Sequence, residues 1–92
     1  MVRAIEVEES NPRLKAAFLD VVENQLRDNE PPQTRETLNR LMADGVSKDD
    51  AKIYIAQAVC VEVWDTLRNQ KAFDLQRYVR NLKNLPKEPE DK

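Results

Sequence analysis

Ser47-Lys48-Asp49-Asp50-Ala51-Lys52-Ile53-Tyr54-Ile55-Ala56-Gln57-Ala58-Val59-Cys60-Val61-Glu62-Val63-Trp64-Asp65-Thr66-Leu67-Arg68-Asn69 is the stretch that decides the fold. Ser47 is a favoured helix N-cap, and Asp50, three residues on, makes an acidic variant of the capping box. Asp49 and Asp50 also suit the positive end of a helix dipole. From Ile53 to Leu67 the run is apolar nearly all round, broken only by Gln57, Glu62, Asp65 and Thr66. At about 100° per residue, Ile53, Ala56, Cys60, Val63, Trp64 and Leu67 share one broad face. Ala51, Ile55, Ala58 and Val59 lie on the other side. A helix apolar on two faces needs cover on both. The cover is either the chain's own helices or a second chain.

Upstream, Asn11-Pro12 opens a helix, asparagine as N-cap and proline at the first helical position. Leu14, Phe18, Val21, Val22 and Leu26 follow at spacings of three and four. Pro31-Pro32 ends that pattern near Glu30. Pro32 starts another helix through Leu38, Leu41 and Met42, which Gly45 closes as a C′ residue. Its narrow apolar stripe predicts a surface helix with a wet polar side. Downstream, Asp74 is an N-cap and Phe73 before it can pack on Tyr78 as a hydrophobic staple. Tyr78, Val79 and Leu82 continue that stripe.

The expected fold is therefore all-α: a compact bundle of four helices, about 12–30, 32–43, 48–69 and 75–85, joined by short loops. Residues 1–10 stay unassigned, 11–85 form one helical domain, and 86–92, with Pro86 and Pro89 among charges, read as a disordered tail.

With 92 residues the chain holds one small domain, whose single core is marginal at this size. Fifteen basic and 17 acidic residues leave a net charge of −2, so no overall charge draws it to nucleic acid or to an anionic membrane. Mean hydropathy is −0.75, and no apolar run approaches the ~18 residues of a membrane span. One cysteine, Cys60, excludes an internal disulfide framework. The start, Met1 to Glu9, is acidic and lacks the apolar core of a secretory leader. Cytoplasm is the expected location. Histidine is absent, which removes the commonest acid/base group near neutral pH and the commonest zinc ligand. The sequence shows no glycine-rich phosphate loop, no zinc-spaced pair and no catalytic triad pattern. No enzyme activity and no cofactor are expected.

Three sets of residues stand out. Gln25 lies near the centre of the stripe of Leu14, Phe18 and Val21, and Glu62 sits among Ala51, Ile55, Ala58 and Val59. Buried, each needs partners. For Gln25 the expected role is an amide tie to a neighbouring backbone or loop, with a ligand contact as the alternative. For Glu62 the expected partners are Arg35, Arg40 or Gln25; exposure at the face's edge and a functional carboxylate are the alternatives. Gln25, Arg35 and Glu62 are thus the candidate buried polar network. Trp64 is expected in the chain's own core. The competing reading makes Trp64, Cys60, Ile53 and Leu67 an interface, where tryptophan is enriched as an anchor. Arg77, Arg80, Lys83 and Lys87 make the last helix locally basic and read as a solvated face rather than a phosphate-binding stripe.

The ordered set Asn11-Pro12-Arg13-Leu14, Val22-Glu23-Asn24-Gln25-Leu26, Pro31-Pro32, Thr34-Arg35-Glu36-Thr37-Leu38-Asn39-Arg40-Leu41, Gly45, Ala51, Glu62, Asp65, Phe73-Asp74 and Arg77-Tyr78 resembles a family of small bacterial helical proteins, a domain of unknown function. The resemblance runs from Asn11 to Leu85. It implies histidines in relatives at places matching Lys15, Leu19 and Ile53, and with them a metal site that could include Glu62. This chain has none of those histidines, so the resemblance implies a lost metal site, with Gln25, Arg35 and Glu62 retained.

The function expected from these readings is a non-catalytic helical module that associates with a second copy or with another protein. A ligand- or metal-binding protein with a degenerate site is one alternative. Weak nucleic-acid binding through the basic last helix is another, and neither metal nor nucleic acid is the expected partner.

Overall fold

The computed structural model describes residues 12–90, and Asn11, expected to cap the first helix, lies outside them with residues 1–10. Four α-helices follow one another without a strand among the described residues: α1 Pro12–Asp28, α2 Pro32–Ala43, α3 Lys48–Asn69 and α4 Leu75–Asn84. The all-α four-helix bundle is the architecture the periodicity implied.

Local chemistry sets each boundary. The first helix stops at Asp28, two residues earlier than expected, because Asn29 takes the left-handed conformation with φ 53°. Glu30 N then donates to Gln25 O (3.1 Å), the six-to-one bond of a Schellman ending. Gly45 does the same for α2 at φ 98°, with Val46 N donating to Leu41 O (3.0 Å). Ser47 Oγ accepts from Asp50 N, and Asp74 Oδ1 accepts from Arg77 N, each at 3.1 Å. The two expected N-caps that fall within the described residues are thus in place. Gln70 ends α3 in the left-handed region. The staple is present too: the Phe73 and Tyr78 rings meet edge to face with centroids 5.2 Å apart.

α3 is the central element and packs on each of the other three helices. Its residues Ile55 to Glu62 are all buried. Lys52 in the early part of α3 pairs with Glu23 late in α1, so opposite ends of these helices meet. α2 buries Thr34, Thr37, Leu38 and Leu41 and leaves Met42 exposed. It runs alongside α4 in the same sense, Thr34 near Tyr78 and Arg40 near Leu82 and Leu85.

The expected disordered tail needs correction as far as Glu90. The Asn81 side chain donates to Glu90 O (2.8 Å) and accepts from Glu90 N (3.0 Å), which pins the segment to α4. A side-chain amide can match a backbone amide in this two-way manner, and nothing in the charge pattern reveals it.

Candidate functional site

The two polar residues singled out by sequence, Gln25 half-buried and Glu62 buried, sit in two adjoining clusters. In the first, Glu62 is fully buried (0% exposed) near the end of the covered part of α3. Its partner is Arg77 of α4, 7% exposed, and not Arg35 or Arg40. Arg77 Nε donates to Glu62 Oε2 (2.6 Å) and Nη2 to Oε1 (2.9 Å), a two-pronged pair. Nη2 also reaches Asp65 Oδ2 (2.9 Å), and Asp74 N donates to Glu62 Oε1 (3.0 Å). Asn69 Nδ2 holds the other oxygen of Asp65 (2.6 Å). One guanidinium therefore faces two carboxylates. Hydrogen bonding to Glu62 holds Arg77 above its usual pKa against the opposing effect of burial, and Asp65 adds to it. Hydrogen bonds from Arg77 and Asn69 lower the Asp65 carboxyl.

This corrects the reading of Arg77 as part of a solvated basic face. Arg77 precedes Tyr78 and lies four residues before Asn81, on the buried stripe of Tyr78, Leu82 and Leu85. That helical spacing is the signal that marks it as inward. Arg80, Lys83 and Lys87 remain exposed, so the stripe on α4 loses its first cation.

In the second cluster Gln25 Oε1 accepts from Thr34 Oγ1 (2.7 Å) and from Tyr78 OH (2.6 Å). Three helices meet at this one oxygen. The partners are two hydroxyls on other helices, where a backbone or loop contact was expected. Burial pushes the Tyr78 phenol up to about 12, with the bonds to Thr34 and Gln25 opposing it. Arg35 joins neither cluster: it is exposed, and its Nη2 donates to Leu26 O (3.1 Å) at the end of α1. The candidate network of Gln25, Arg35 and Glu62 is therefore three separate devices. Arg40 acts like Arg35, donating to Leu82 O and Leu85 O, each at 3.0 Å, at the end of α4.

The candidate interface also divides. Cys60 is buried, and burial raises its thiol to about 11. Such a thiol is a packed group and not a nucleophile. Ile53 is half-buried. Trp64 is 38% exposed, outside the core expected for it, and Leu67 is 68% exposed. Phe73 and Leu75 are exposed as well, and they flank Asp74, whose amide is bonded to Glu62. Four large apolar side chains are thus exposed between the last turns of α3 and the start of α4.

No buried side-chain nitrogen or oxygen among the described residues lacks a partner. The same residues contain no group of three or more acidic, cysteine or histidine side chains arranged to hold a metal ion, and no helix long and apolar enough to cross a membrane. Chemically, the two polar clusters join helices: Gln25 Oε1, the Tyr78 hydroxyl, the Glu62 carboxylate and the Arg77 guanidinium each bond across to another helix. No known family model, curated protein or solved structure matches the chain.

Proposed function

We propose that this chain is a non-catalytic helical interaction module that associates with a second copy of itself through the α3–α4 corner. The observation that carries the reading is the exposure of Trp64 and Leu67 on the final turns of α3, and of Phe73 and Leu75 where α4 begins. Large apolar side chains left exposed favour a partner surface, because covering them removes apolar area from water. Trp64 would serve as the anchor. The middle of α3 no longer supplies an argument, since Ile55 to Glu62 are buried already within the chain. Self-association therefore rests on the exposed side chains at the end of α3 and the start of α4.

A two-fold arrangement would bring the same corner of both copies together. A cytoplasmic setting and kinship with the small bacterial helical domains go with this proposal, the latter on the residues quoted above. Binding to a different protein through the same corner is the second reading. It draws on the same four side chains.

Sedimentation of the full chain across a concentration series tests the proposal. The expected result is a dimer at tens of micromolar that Leu67→Glu converts to monomer without lowering the melting temperature. The Trp64 emission should shift to the red in the variant. A chain that stays monomeric at roughly millimolar concentration, about −4 kcal/mol of association at most, removes self-association.

A further inference from the structure

A second feature lies away from the α3–α4 corner. Gln33, Glu36, Thr37 and Arg40 line one face of α2 at helical spacing, and Lys83 of α4 stands opposite, around a cavity of about 300 Å³. That volume is at the small end of ordinary ligand sites.

The chemistry of the lining is uneven. Arg40 is held in place by its bonds to Leu82 O and Leu85 O, and its remaining N–H groups are free to donate. Lys83 and Glu36 are exposed and form no ion pair among the described residues. Thr37 is 4% exposed, yet its hydroxyl has no hydrogen-bond partner among those residues. Since no fully buried polar atom is left unsatisfied, the remaining exposure of that hydroxyl opens on the cavity. The wall therefore offers two cations, one carboxylate, a hydroxyl and an amide, with the aliphatic stems of Arg40 and Lys83 between them.

We propose that this cavity binds a small zwitterion of the free amino-acid class. Lys83 and Arg40 hold its carboxylate, Glu36 its ammonium group, and the Thr37 hydroxyl a carboxylate oxygen. The side chain of the ligand lies along the lysine and arginine stems. Two cations against one anion rank the carboxylate as the stronger handle. A bare amine meets net repulsion, and a bare carboxylate binds but loses the contact to Glu36. The proposal is independent of self-association.

Amide chemical-shift titration of the full isotope-labelled chain tests it, with leucine, glutamate and lysine as probes. N-acetyl-leucine and leucine methyl ester probe the two ends separately. The expected result is saturable shifts confined to residues around Gln33, Thr37, Arg40 and Lys83 with at least one amino acid. The acetylated probe should bind more weakly and the methyl ester not at all. Lys83→Gln should weaken binding by about tenfold, the equivalent of one charge-assisted hydrogen bond. Thr37→Val, which keeps the shape, should weaken it severalfold with an unchanged melting temperature. Absence of saturable shifts up to ~20 mM, a range that reaches the weakest small-ligand affinities, overturns the proposal. So does equal binding of ester and parent, or binding that ignores both substitutions.

Discussion

Glu62 and Arg77 bind each other in a place where neither could stand alone. A buried carboxylate without its cation carries a large desolvation penalty, so removal of one partner costs far more than the pair itself contributes. Arg77→Met should lower stability by about 3–5 kcal/mol in urea denaturation. That is a large share of the roughly 5–15 kcal/mol available to a domain of this kind. The double variant Glu62→Leu with Arg77→Met should recover more than half of the loss. Tyr78 and Cys60 set the alkaline limit. Their folded-state pKa values, about 12 and about 11, lie above the ordinary 10 and 9. Folding thus favours the neutral forms, and their stabilisation is whole below pH 9. It is lost as pH rises through the window from 9 to 12. For Tyr78 the loss at pH 12 is on the order of 2–3 kcal/mol, at about 1.4 kcal/mol per pH unit between the two values. Thermal melts from pH 8 to 12 should show the decline, and Tyr78→Phe should flatten its upper part. The same substitution should cost about 1 kcal/mol at pH 7, where it removes one donor to Gln25.

Helix ends were legible in the sequence because their determinants are local. Ser47, Asp74, Gly45 and the Phe73–Tyr78 staple each act within a few residues, and each performs the expected role. Asn29 was overshadowed by Pro31-Pro32, although asparagine tolerates the left-handed region and here ends α1 before the prolines. The oddity of Gln25 and Glu62 was visible, since polar side chains on apolar stripes need partners. Their partners were not, because Tyr78 is 53 residues from Gln25 and Arg77 is 15 from Glu62. The angle between two helices decides such meetings, and periodicity along one helix carries no information about it. Two expectations follow for the elements themselves. Ser47→Ala should cost about 1 kcal/mol through the lost cap of α3. Gln70, a left-handed residue with a side chain, should accept glycine with a gain of about 0.5–1 kcal/mol, read as a higher melting temperature.

At the scale of the whole molecule, α3 is an axle on which the other helices are mounted, and polar ties fix how they sit. Gln25 joins α1, α2 and α4; Arg40 joins α2 to the end of α4; Glu62 joins α3 to α4 and to the connector between them. Ties of this kind specify orientation where apolar contact alone is permissive. The Asp74 amide illustrates the result. It belongs to a connector, outside any helix, and in most proteins such a proton trades with heavy water within moments. Here it is clasped by a carboxylate that no solvent reaches, so its release requires α4 to lift away from α3. In deuterium uptake it should rank with the slow protons of the interior while Lys71 and Ala72, three and two positions upstream, label at once. Its rate would then report, from a single amide, how often the joint between these two helices comes apart.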